Sequence, residues 1–155
     1  MVTMIDNVMS AAARTCLAAA VLAAAACTNP FADSDTHEHA DGLRIEFEGT
    51  PLVTLHEGEV TGSLSVAAGE SVGPLNVVFT DHHGDPMDPD AGYWMRALMP
   101  ETVAAFEQTS AGAFSGTLVG FSAGETTLTI ELVHGSVGHG HTDFRSVPIP
   151  VVVTE

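Results

Sequence analysis

"FSGTLVGFSAGETTLTIELVHG", residues 114–135, reads as two extended runs joined by a short turn. In the second run Leu128, Ile130 and Leu132 alternate with Thr127, Thr129 and Glu131. Successive side chains of a strand point to opposite faces, so this alternation lays one apolar face on a core and turns a polar face outward. The same period of two recurs along the chain. "LRIEFEG" (43–49) alternates Leu43, Ile45 and Phe47 with Arg44, Glu46 and Glu48, and after a turn at Gly49-Thr50-Pro51 "PLVTLHEGEV" (51–60) continues it. "GSLSVAAGE" (62–70), "GPLNVVFTD" (73–81) and "SVPIPVVVT" (146–154) follow the pattern, each bounded by Gly, Pro or Asp. The one helix-like stretch, "MRALMPETVAAFEQ" (95–108), carries Pro100 in its middle, which argues against a helix there. Short strands at close intervals with turn residues between them predict an all-β fold, an antiparallel sandwich of about seven to nine strands.

The order of these runs resembles a known family. "PLNVVFTD", then "YWMRALMPETVAAFEQ", "GTLVGFSAGETTLTIEL" and "SVPIPVVV" look like the bacterial Ig-like domain of intimin- and invasin-type surface proteins. "PETVAAF" matches that family's P-x-x-V-A-x-V segment and "SAGETTLTI" (122–130) its fifth strand. The resemblance covers roughly residues 60–154 and rests on short, permissive motifs. It implies an Ig-like β-sandwich in which residues 74–80, 93–98, 126–133 and 147–153 are strands B, C, F and G. The sequence departs from the family in an added hairpin at 43–60 and in long, His-bearing loops after "VVFTD" and "TIELVHG".

The N-terminal part is of another kind. "CLAAAVLAAAAC" (16–27) is an uncharged apolar run behind Arg14, the layout of a secretory signal, and too short to span a bilayer comfortably. Its end, "LAAAAC", resembles a bacterial lipoprotein signal, with Ala24 where that signal usually has Leu. This predicts a signal peptide over 1–26, lipidation at Cys27, an acidic tether over 27–42 and a sandwich over 43–155. "MVTMIDNV" lacks a base and holds Asp6, so translation is expected to start at Met9 rather than Met1. The other cysteine, Cys16, falls inside the signal. The mature chain therefore offers no thiol for a blue-copper site, a cysteine-based zinc site or a nucleophile.

Four arginines and no lysine stand against 20 acidic residues, a net charge of -16. That balance excludes nucleic acid as a partner and a basic patch for anionic membrane. The expected partners are the membrane, through the lipid, and an envelope metal transporter or receptor. The expected location is the bacterial cell envelope.

The eight histidines are unevenly spread. His82 and His83 lie in "DHHGDPMDPDAG" (81–92), and His134, His139 and His141 with Asp143 in "HGSVGHGHTD" (134–143). As B–C and F–G loops these would share one end of the sandwich. Neutral imidazole with carboxylate suits Zn²⁺ first, and also Cu²⁺ or Ni²⁺. In an extended segment His139 and His141 would point to one side. The expected ligands are His139, His141 and one of His82 or His83, with His134 or Asp143 as fourth. His37 and His39 precede the first strand and are further candidates. Asp81, Asp85, Asp88 and Asp90 do not follow EF-hand spacing and offer at most weak Ca²⁺ binding. Met95 and Met99 flank Trp94 as core filler rather than a thioether copper site, and His56 is expected to be solvated beside Glu57.

These features point to a lipid-anchored module that captures, buffers or delivers a divalent metal and loses it as protonation of imidazole sets in below about pH 6. A structural or adhesive Ig-like module without metal is the alternative. Copper–zinc superoxide dismutase also sets an H-x-H on an Ig-like sandwich. This chain, however, lacks a cysteine pair in its mature part and an identifiable bridging His, so it is not expected to be an enzyme.

Overall fold

The computed structural model describes residues 39–155. The predicted signal, Cys27, His37 and most of the predicted tether lie outside them. Among the described residues no helix is long and apolar enough to cross a membrane.

The alternating runs become strands, eleven among the described residues. Gly42–Phe47 (β1), Thr50–His56 (β2) and Glu59–Gly62 (β3) form a meander. Leu64–Ala67 (β4), Ser71–Thr80 (β5), Tyr93–Leu98 (β6), Ala104–Gln108 (β7) and Ser115–Gly120 (β8) follow. Gly124–His134 (β9), His141–Arg145 (β10) and Ile149–Thr154 (β11) close the chain. One sheet has the order β3-β2-β1-β5-β8-β7. In the other, β9 pairs with β6, β10 and β11, and β11 runs parallel to β4. Strands β5, β8 and β7 lie side by side in one sheet and β6, β9 and β11 in the other, the two sheets of a β-sandwich.

The excess over seven to nine strands has three sources. "PLVTLHEGEV" is two strands, because Glu57 and Gly58 (φ 50° and 79°) make a two-residue hairpin turn at its end. Glu48 and Gly49 (φ 49° and 77°) make the same turn between β1 and β2, so Thr50 and Pro51 already belong to β2. Positive φ at both central residues matches the right-handed twist of the flanking strands. The second source is the run 93–108, which holds both β6 and β7, and the third is β10, in a stretch expected to be loop. Ser146 sits between β10 and β11, its N–H donating to Ile130 O (2.8 Å) and its Oγ accepting from Ile130 N (2.9 Å). These bonds keep both strands along β9.

Period two fills the space between the sheets. Leu43, Ile45, Val53, Leu55, Leu75, Val77, Phe79 and Leu118 face Leu64, Val66, Met95, Leu128, Ile130, Leu132, Ile149, Val151 and Val153, all at most 4% exposed. Phe79 is central, with Phe114 and Phe144 edge-on at 5.9 and 5.7 Å. The Glu131 carboxylate, on the outer face, is nonetheless fully buried. It lies between Arg96 of β6 and Arg145 of β10, which stand directly opposite it in register.

Candidate metal centre

The residue after Leu132 on the core-facing row of β9 is His134, where that row leaves the sandwich. Opposite it stand Tyr93 on β6 and His141 on β10. The three rings make one row across three strands. Tyr93 stacks on His134 (4.7 Å, 18°), and His134 meets His141 edge-on at 5.3 Å.

Asp143 joins them through an irregularity in β10. Thr142 pairs with Val133 and Phe144 with Leu132, so Asp143 is an extra residue without a partner on β9. A bulge of this kind bends the strand and re-aims a side chain. Here it brings Asp143 Oδ1 to 3.0 Å from His141 Nε2. His134, His141 and Asp143 are exposed, and one ligand atom from each lies within 4.8 Å of the others. Burial first, then the carboxylates of Asp143 and Asp90, hold the Tyr93 phenol above its usual value.

The segment between the two strands is glycine-rich because it closes tightly. A Cβ at Gly140 would lie 2.5 Å from His134 O, and one at Gly135 would lie 3.0 Å from Gly140 Cα. Gly135 also adopts φ 114°, which a side chain would strain. His139 N donates to Ser136 O (2.8 Å), so the chain turns there. The extended stretch begins only at His141. The expected pairing of His139 with His141 rested on an extended 139–141 segment, and His139 has no atom in the ligand group. His134 and Asp143, expected as alternative fourth ligands, are central members.

His82 and His83 are held elsewhere. Asp81 O accepts from Gly84 N (3.0 Å), and its Oδ1 accepts from His83 N and Asp85 N, each at 2.9 Å. This side-chain-locked turn leaves the two imidazoles exposed at its corner, with ring centroids 3.8 Å apart. Burial pushes the Asp81 carboxyl up, but these two N–H bonds and the imidazoles of His83 and His82 outweigh it and leave the group below its usual range. Gly84 packs against His56 of β2, in the opposite sheet from β9 and β10. The His56 ring is half-buried there with its Nδ1 enclosed, not solvated beside Glu57. The loops at 81–92 and 134–143 do meet, but at Gly92, whose O accepts from Gly135 N (2.8 Å). Asp85, Asp88 and Asp90 are exposed and join no ligand group, and His39 is exposed ahead of β1. Met95 lies in the core as expected, with Met99 packed against it.

Tyr93 was not among the residues singled out from sequence. The signal is its register opposite His134, and register is a property of strand pairing rather than of either strand.

Two imidazole nitrogens and a carboxylate oxygen with open water on one side match zinc sites that keep a free coordination position. With bonds of about 2.0–2.2 Å, tetrahedral ligand atoms lie about 3.3–3.5 Å apart. His141 Nε2 and Asp143 Oδ1 are already 3.0 Å apart and all three ligand atoms lie within 4.8 Å of one another, so small side-chain rotations bring the group to this spacing. No family model matches this chain, and no curated protein is significantly similar to it.

Proposed function

We propose that this chain is a lipid-anchored envelope protein that binds a divalent transition metal, zinc first, through His134, His141 and Asp143. The observation that carries the reading is the convergence of these three ligand atoms on two hydrogen-bonded strands. The donor set is borderline to hard, which suits Zn²⁺, with Cu²⁺ and Ni²⁺ as competitors by intrinsic affinity. The ligands are exposed and the coordination shell is open, so the site favours exchange over permanent structural binding. That is the behaviour needed for capture, buffering or delivery to an envelope transporter. Anchoring rests on the sequence alone: Arg14, the apolar run and Cys27.

Competition of the full-length protein with a chromophoric chelator for Zn²⁺, Cu²⁺ and Ni²⁺ tests the site. The double variant His134→Ala with His141→Ala is expected to abolish binding, and His82→Ala with His83→Ala to leave it within about twofold. The reading fails if the native protein binds no metal more tightly than about 10 µM, near -7 kcal/mol. It fails equally if the 82/83 pair matters and the 134/141 pair does not. Cys27→Ser is expected to move the protein from the membrane fraction to the soluble one.

A further inference from the structure

Each strand of the ring row beside the metal group also supplies one member of the buried ion cluster. Strand β6 carries Tyr93 and Arg96, β9 carries His134 and Glu131, and β10 carries His141, Asp143 and Arg145. The cluster forms a second row, Arg96–Glu131–Arg145, on the outer face of the same sheet. Arg96 Nε and Arg145 Nε each donate to a different carboxylate oxygen at 2.5 Å, and both Nη2 groups reach the same oxygens. The Glu131 side chain is 0% exposed, whereas Arg96 and Arg145 remain 42% and 63% exposed.

The spacing of the two rows requires a fixed register. On β9, His134 and Glu131 are three residues apart and therefore face opposite sides. On β10 their partners, His141 and Arg145, are four apart, which in a regular strand would put both on one side. Both rows form because one residue of β10 is bulged, and that residue is Asp143. Phe144 anchors the inner side against Phe79, and Arg145 anchors the outer side on Glu131. Arg96 Nη2 also donates to Thr142 Oγ1 at 3.3 Å, reaching across β9 to the residue between the two ligands.

We infer that Glu131, Arg145 and Arg96 are positioning residues for the metal group, fixing the β9–β10 register so that Asp143 is the bulged residue and turns to His141. The inference rests on the metal reading, but its first link, the register, exists without metal. A one-residue slip would move every β10 side chain to the other face. Arg145 would leave Glu131, and His141 would leave His134.

The test uses full-length protein and three variants: Arg145→Met, Arg145→Lys and Thr142→Val. Arg145→Met removes an exposed side chain and leaves Arg96 on Glu131, so the fold is retained. The expected result is a loss of zinc affinity of about 10-fold or more for Arg145→Met, within the range seen when an outer-shell partner of a metal ligand is removed. Arg145→Lys recovers part of that loss, since lysine keeps the charge but not the forked geometry. Thr142→Val gives a smaller loss. Cross-strand proton contacts measured by NMR on metal-free protein are expected to show Phe144 opposite Leu132 in the native chain and mixed registers in Arg145→Met. Unchanged zinc affinity in Arg145→Met overturns the inference, as does a native register in that variant. A loss of thermal stability alone, with affinity at 25 °C intact, would leave the cluster purely structural and also overturns it. Failure of the native protein to bind zinc refutes the metal reading instead, while the NMR comparison still decides the register.

Discussion

Removing Glu131 and removing its two arginines are expected to have unequal effects on stability. In Glu131→Leu the guanidinium groups lose a carboxylate, but both are about half exposed and return to water. The loss is then a few charge-assisted hydrogen bonds offset by rehydration, about 1–2 kcal/mol. In Arg96→Met with Arg145→Met, the carboxylate stays fully buried with no partner. An uncompensated buried charge costs about 3–5 kcal/mol. Combining all three changes removes the charge together with its partners, and replacement of a buried ion cluster by apolar side chains is often neutral. The triple variant is therefore expected within about 1 kcal/mol of the native chain, a coupling of about 3 kcal/mol or more. Urea unfolding followed by circular dichroism measures this. Trp94, the only tryptophan, serves as a second probe in variants that keep Arg96, whose guanidinium lies 5.9 Å from its ring. If Glu131→Leu is as damaging as the double arginine variant, or if the triple variant equals the sum of the others, the burial argument is wrong.

Two further outcomes concern the turns. Glu48 and Glu57 hold positive φ at the first central position of their hairpins, where asparagine is preferred. Glu48→Asn and Glu57→Asn are each expected to raise stability by about 0.5–1 kcal/mol in urea unfolding, and a loss would show that these side chains have another role. Asp81 has a depressed folded pKa, so its contribution to stability is fully present above the unfolded value of about 3.9 and disappears as pH falls through the folded value. Asp81→Asn keeps an acceptor for the turn but not the charge. Native and variant stabilities, measured from pH 7 downward, are expected to differ at neutral pH and to converge in acid, and a gap that persists or widens there contradicts the assignment.

The β-sandwich was legible because its core rows obey period two with few interruptions. Leu128, Ile130 and Leu132 are named correctly by alternation alone, as are Leu43 and Ile45. Strand β10 was not legible. "HTDFR" has one apolar residue, and its bulge breaks the alternation that identifies a strand, so the stretch reads as a loop. Glu131 falls on the polar phase of β9, and period two assigns it to water. Its burial comes from Arg96 and Arg145, 35 residues before it and 14 after it in the chain. The histidine content of the two loops was legible, but not which histidines converge. That depends on the turn at Ser136–His139 and on the Asp81 turn that holds His82 and His83 beside β2.

The difference between loop and strand histidines has an energetic consequence. His134 and Tyr93 end rows whose earlier members, Leu132 and Met95, are fixed in the core. Their backbones are already ordered, and metal binding need only restrict side-chain rotation, about 0–2 kcal/mol per group. His139 lies in a glycine-rich turn and His82 and His83 on an exposed corner, so recruiting them would require moving backbone as well, at about 1–2 kcal/mol per residue. A site built where core rows reach the rim combines a rigid base with solvent-accessible ligand atoms. If the proposed site binds metal, the histidines nearest the core, rather than the most densely clustered ones, are expected to carry the affinity.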